Sequence, residues 1–153
     1  MSTTEISPAT GSHVAPSFAH ARVADAMRHG VITCPPETPL VTVARMMASY
    51  HVHAIVVTSM EEERDADIDE PAWGVVSDRE LLRYSGRADE MSAGGAAVGD
   101  FACVTEQDSL EEASRRMLER GSAHALVVGE RSRRPLGMIS SLDVAGVIAW
   151  GRA

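Results

Sequence analysis

Two short patterns in the chain carry groups able to bind or to cap, Ser77-x-x-Glu80 and Ser140-x-x-Asp143. Each follows a glycine and two apolar residues, Gly74-Val75-Val76 and Gly137-Met138-Ile139, as expected where a strand runs into a helix. A hydroxyl and a carboxylate three residues apart at a helix start can satisfy the first backbone N–H groups as a capping box, with no ligand at all. The same helix end offers N–H groups and partial positive charge that suit a phosphate without any Lys. His53 and His124 precede the apolar runs Ile55-Val56-Val57 and Leu126-Val127. Either can approach a phosphate or a base, although a partly buried neutral ring with one satisfied nitrogen is the plainer expectation. No carboxylate or thiol near His51-x-His53 completes a metal set. Cys34 and Cys103 stand in no metal or redox spacing and read as small buried thiols. Neither Gly-x-Ser-x-Gly nor a Gly-Lys-Ser/Thr phosphate loop occurs, so the sequence does not point to an enzyme.

The elements that position these residues occur twice. Thr38-Pro39-Leu40-Val41-Thr42-Val43-Ala44-Arg45-Met46-Met47 aligns with Asp108-Ser109-Leu110-Glu111-Glu112-Ala113-Ser114-Arg115-Arg116-Met117, and the same register carries Ile55-Val56-Val57 onto Ala125-Leu126-Val127. The Gly74 and Gly137 blocks then match position for position. Each copy begins with a short apolar strand, 31–33 or 102–105. A helix follows whose apolar residues recur at three-to-four spacing, Leu40, Val43, Met46 and Met47 in one and Leu110, Ala113, Met117 and Leu118 in the other. Thr38 with Pro39, and Asp108 with Glu111, are the expected helix starts. Two Val- and Ile-rich strands, 54–59 with 73–76 and 125–129 with 136–139, lead to closing helices over 78–84 and 141–150. Three strands under two short helices leave one apolar face open, so the copies are expected to pack against each other sheet to sheet.

The expected division is a flexible tail over 1–21, repeat 1 over 22–84 with a short lead-in helix at 23–27, a partly helical connector over 85–99 and repeat 2 over 100–153. The first copy is longer by an acidic insertion, residues 61–70. The matching turn of the second copy is basic, with Arg131, Arg133 and Arg134. If the chain dimerises head to tail, these opposite charges help choose the orientation. A length of 153 residues, 44% hydrophobic and 4% aromatic, gives a globular unit with an aliphatic core. A net charge of -8 opposes nucleic-acid binding. No apolar run reaches the roughly 20 residues of a membrane helix, and no secretory pattern opens the chain, so a cytoplasmic location is expected. All 14 basic residues are Arg, a bias of GC-rich genomes that fits a bacterium.

The duplicated order strand, helix, strand, strand, helix, with Gly-apolar-apolar-Ser-x-x-acid at the last junction, resembles the cystathionine-beta-synthase-type (CBS) repeat over about residues 23–149. Two copies joined by a connector resemble the regulatory pair called a Bateman module, in a free-standing bacterial form. The resemblance implies an α+β fold of two pseudosymmetric β-α-β-β-α repeats and a homodimer. It implies no required cofactor, but a regulatory adenosyl ligand drawn from AMP, ADP, ATP or S-adenosylmethionine, whose state is passed to an unidentified partner protein. In such pairs the junction acid binds the ribose hydroxyls and the Ser three residues earlier binds phosphate. Ser140 and Asp143 match both positions, whereas Ser77 is followed by Glu80 in place of Asp. The extra methylene displaces the carboxylate and weakens a two-point contact with a diol, so the Asp143 site is favoured. The adenine wall is expected from Val31 to Cys34 and His53 to Ile55 in one copy and from Ala102 to Thr105 and His124 to Leu126 in the other, with Thr33, Cys34, His53, Ala54, Val104, Thr105, His124 and Ala125 as its site residues. The competing reading is a ligand-free scaffold whose junctions serve only as helix caps.

Overall fold

The computed structural model describes residues 17–58 and 73–151. The acidic insertion at 61–70, most of the tail and the last two residues lie outside the described residues. In chain order the elements are α1 (Val23–Ala26), β1 (Arg28–His29), β2 (Thr33–Cys34), α2 (Leu40–Tyr50), β3 (Ala54–Thr58), β4 (Trp73–Ser77), α3 (Asp78–Arg83), a 3-10 turn (Ser85–Glu90), α4 (Ala93–Ala96), β5 (Cys103–Val104), α5 (Leu110–Glu119), β6 (His124–Val128), β7 (Pro135–Ser140) and α6 (Ser141–Trp150). The fold is mixed α and β, and the repeat is plain in it. In each half a two-residue strand pairs parallel with the central strand, which pairs antiparallel with the last.

Strand alternation divides the side chains between layers. Ile55 and Val57 of β3 join Leu40, Val43 and Met47 in a core beneath α2, while Ala125 and Val127 of β6 join Leu110, Ala113 and Met117 beneath α5. The intervening residues point the other way. Val56, Val75, Leu126 and Val128 form a third core with Trp73, Phe101 and Met138, and this core joins the two sheets face to face.

The lead-in and connector segments cross over. β1 pairs with β7 of the other half, and α1 contributes Val23, with Ala21 and Met27 beside it, to the core under α5. The connector does the reverse, since Ala93 and Ala96 of α4 enter the core under α2 and Val98 bridges Val75. Bridges from Arg22 to Ser109 and from Ser92 to Pro39 occupy matching places. α4 is therefore the second copy of α1, and each half is completed by a segment that precedes the other. Gly74 and Gly137 have a physical reason for their match in sequence. A Cβ on Gly74 would meet the Ala97 Cβ at 2.8 Å, and one on Gly137 would run into the Arg28 carbonyl oxygen and the Met27 Cε.

The expected helix starts shift by one residue. Pro39, not Thr38, is the N-cap of α2, and it has no side-chain bond. Ser109, not Asp108, caps α5, its Oγ accepting from Glu112 N at 3.1 Å. Asp108 is drawn away because its carboxylate accepts from Thr105 N at 2.8 Å and faces Arg116. The basic turn with Arg131, Arg133 and Arg134 is exposed between β6 and β7, and Trp73 Nε1 donates to the Arg133 carbonyl at 3.2 Å. Among the described residues no helix is long and apolar enough to cross a membrane.

Candidate functional site

A cavity of about 530 Å³ opens where the two halves meet, within the usual range for small-molecule sites. One wall comes from Arg28 and residues 30–32, which run from one sheet to the other. His51 to Ala54 and Asp78 come from the first half, and Ala123, His124, Met138 and residues 140–143 from the second. Gly30, at φ +85°, makes the crossing turn in a region that favours glycine.

The two junctions differ in this setting. Asp143 Oδ2 accepts from Ser140 N at 2.8 Å and from Ser140 Oγ at 3.0 Å, closing the capping box at the start of α6. Its Oδ1 is 3.8 Å from Arg28 Nε, on a side chain 14% exposed. One carboxylate oxygen therefore serves the helix while the other remains for a molecule in the cavity. Glu80 also closes a capping box, its Oε2 accepting from Ser77 N at 2.8 Å and from Ser77 Oγ. Ser77 and Glu80 are both buried, however, and neither lines the cavity. Capping thus occupies both junctions, and only at the second does it leave an acid in a cleft wall.

Of the remaining site residues expected from sequence, His53, Ala54 and His124 line the cavity, and Thr33, Cys34, Val104, Thr105 and Ala125 do not. Cys34, Val104 and Ala125 point into the cores beneath the helices, as strand alternation dictates. Thr33 pairs with Val56 on the exposed edge strand, and Thr105 donates its N–H to Asp108. Within the expected segment 31–34, Val31 and Ile32, just before β2, do line the cavity. Sequence reasoning missed Arg28 and Asp78. Arg28 reaches the cleft only because β1 joins the distant sheet, a pairing no local signal reveals. Asp78 stands beside Ser77 at the junction and was open to notice.

The histidines meet across the halves. The rings of His53 and His124 stack with centroids 4.8 Å apart and planes 30° apart. His124 shares its sheet face with Leu126 and Val128, and Ala54, opposite Ser77, takes the equivalent place in the first sheet as His124, opposite Ser140, does in the second. His53 Nδ1 lies 3.3 Å from Asp78 Oδ2. Burial holds the His124 imidazole below the usual histidine range, charge on His53 lowers it further, and Asp78 and Asp143 act the other way.

A smaller cavity, about 380 Å³, lies between Trp73, Phe101, Cys103, Arg116, Arg120 and Arg133. Two of its arginines are engaged, Arg116 with the Cys103 carbonyl, Glu112 and Asp108, and Arg120 with the Asp100 carbonyl. Burial raises the Cys103 thiol above its ordinary value despite Arg133, Arg120 and Arg116, and burial raises that of Cys34 as well. Both sulfurs are thiols at neutral pH. Among the described residues no group of three or more His, Cys, Asp or Glu side chains is placed to hold a metal.

Comparison with known proteins points the same way as the duplicated architecture. The sequence profile of the CBS domain matches residues 23–87 and 97–149. No curated protein sequence matches the chain. Among solved structures, the CBS domain pair of protein MJ0100, in complex with 5'-methylthioadenosine and S-adenosyl-L-methionine, superposes with a TM-score of 0.69 at 12% identity, covering 84% of this chain and 96% of that one. The CBS-domain protein ATU1752 of Agrobacterium tumefaciens gives 0.68 at 20% identity, covering 82% and 92%. The hexameric CBS-CP12 protein of bloom-forming cyanobacteria gives 0.68 at 16%, covering 82% of this chain and 69% of that one. At these identities the likeness is one of fold.

Proposed function

The chain belongs to the CBS domain family, and from that premise we propose that it is a regulatory, non-catalytic module that binds an adenosyl ligand in the cleft beside Asp143. AMP, ADP, ATP and S-adenosylmethionine are the ligands proposed. The observation that carries the reading is the placement of Ser140 and Asp143 in the wall of the 530 Å³ cavity, with Asp143 Oδ1 not used by the cap. A carboxylate there can accept from ribose hydroxyls, and the apolar surface of Val31, Ile32 and Met138 suits a purine. The bound complex of the MJ0100 pair supports the ligand class. Because the cleft is built from both halves, a ligand in it favours one relative placement of the sheets, and a partner protein can read that placement.

The closed capping boxes at both junctions favour a second reading, a ligand-free scaffold. Titration calorimetry with AMP, ATP and S-adenosylmethionine separates the two. Saturable heat and a thermal upshift with at least one ligand are expected, and silence with all three would favour the scaffold.

Self-association is part of the proposal. Beyond Ser141 and Asp143 of its first turn α6 is apolar throughout, a pattern of helices that are covered on every side, yet Leu142, Ile148 and Trp150 are 76%, 64% and 69% exposed. A second copy of the chain is the proposed cover, giving a homodimer. Ile148→Glu is expected to convert the dimer to monomer in sedimentation velocity. An unchanged dimer in this variant would place the contact elsewhere.

A further inference from the structure

The fixed charges of the cleft set a problem for any phosphate-bearing ligand. Asp78 from the start of α3 and Asp143 from α6 are the carboxylates in its wall, and Arg28 of β1 is its guanidinium. Two negative groups against one positive leave a net repulsive field for a dianion, and Arg28 is already turned toward Asp143. The other titratable groups in the wall are His51, His53 and His124. Only imidazoles can change the sign of this field near neutral pH.

Their geometry suits that task. His124 is the direct cross-strand partner of Ser140, so a phosphate held at the start of α6, with the Ser140 hydroxyl turned from Asp143 toward it, lies beside its ring. The stacked His53 brings the first half to the same place. Two imidazolium rings at 4.8 Å repel one another, and burial together with charge on His53 holds the His124 ring below its usual range. A phosphate in contact with both rings removes that repulsion. We infer that His53 and His124 make the cleft selective for the phosphate group of an adenine nucleotide and that its binding takes up protons onto this pair. The inference rests on the proposed adenosyl site and adds the residues that read the phosphate.

The sign follows from linkage. A ligand that raises an imidazole's affinity for protons binds more tightly as protons become available. The lowered His124 acidity range leaves that ring mostly neutral at pH 7 before binding. AMP affinity therefore rises as pH falls from 8 to 6.5, a window in which a phosphate monoester, whose second pKa is about 6, is still mostly dianionic. Adenosine has no phosphate and provides the control.

The test is calorimetry of the full chain with AMP and with adenosine at pH 8 and pH 6.5, repeated in buffers of different ionisation enthalpy. AMP is expected to bind roughly 3-fold more tightly at the lower pH for each imidazole whose pKa rises by about one unit, and so nearly 10-fold if both rings respond, with net proton uptake, while adenosine affinity stays flat. His53→Gln combined with His124→Gln should abolish the pH effect on AMP and keep adenosine binding, which also shows that the variant is folded. If that variant does not fold, NMR titration of the unaltered chain serves instead. AMP, but not adenosine, should raise the pKa of both rings, and unmoved pKa values overturn the inference. Equal pH dependence for AMP and adenosine overturns the inference and leaves the adenosyl cleft standing. No binding of either compound at any pH overturns both.

Discussion

Replacing Asp143 with Asn is expected to weaken adenosyl-ligand binding about 10- to 100-fold while leaving the fold intact. Hydrogen bonds to an ionised group are worth about 1.5–3 kcal/mol, and each 1.4 kcal/mol or so is a factor of ten in affinity. Asn keeps the size of the side chain and an oxygen that can still accept from Ser140 N, so the start of α6 remains capped. It loses the negative charge, and with its oxygen kept by the cap it turns an NH2 toward the cavity in place of the free acceptor oxygen. Glu80→Gln is the informative contrast. Glu80 occupies the same position in the first repeat but is buried under its own helix, with no surface in the cavity. That substitution is expected to lower stability and to leave ligand affinity within about twofold, because the lost interactions are those of a cap, worth about 1 kcal/mol. Equal losses of affinity in the two variants would show that the junctions act on binding through the fold alone. Calorimetry on both proteins, with thermal melts alongside, makes the comparison.

Gly137→Ala carries the largest expected cost in stability. The new methyl would collide with the Arg28 carbonyl oxygen and lie 2.7 Å from Met27 Cε, so β1 must leave β7 or the sheet must open. Overpacking costs about 1–3 kcal/mol, occasionally more. A clash with backbone belongs at the upper end, and for a chain of this size about 3 kcal/mol lowers Tm by roughly 6–12 °C. Gly74→Ala meets only the Ala97 methyl at 2.8 Å and is expected to cost less. Gly99→Ala meets nothing within 4 Å and is expected to be neutral or slightly stabilising, since it restricts the unfolded chain. The order Gly137, Gly74, Gly99 in loss of Tm tests the crossed lead-in segments directly. Because β1 holds Arg28 and leads into Gly30 of the cleft wall, Gly137→Ala should also weaken ligand binding.

Much of this fold was legible because it is written twice. Short Val- and Ile-rich runs placed β3, β4, β6 and β7, and three-to-four spacing placed α2 and α5, nearly where they lie, and the matched Gly-apolar-apolar-Ser blocks marked both junctions and the start of α6. What sequence could not show was pairing between distant segments. Nothing near Arg28 indicates that it joins β7, and nothing near Ala93 indicates that α4 is the counterpart of α1, because Val-Ala-Asp-Ala and Ala-Gly-Gly-Ala share only small residues. The caps were misplaced by one residue because Thr38 and Asp108 are good caps locally, while tertiary partners and the turns before the helices decide which residue acts. The histidine pair was hidden for a similar reason. His53 and His124 are one position out of register in the repeat, and only the docking of one sheet on the other brings their rings together. The acidic insertion at 61–70 lies outside the described residues, so the pairing of its charge with Arg131, Arg133 and Arg134 stays a reading of the sequence.

The most direct test of the central claim is a crystal structure of the full chain grown with AMP. Electron density for the nucleotide is expected in the cleft between the halves, with ribose hydroxyls within about 3 Å of the Asp143 carboxylate and the phosphate beside Ser140 and the His53 and His124 rings. A nucleotide bound elsewhere on the chain, or an empty cleft in crystals grown at saturating AMP, would contradict that claim.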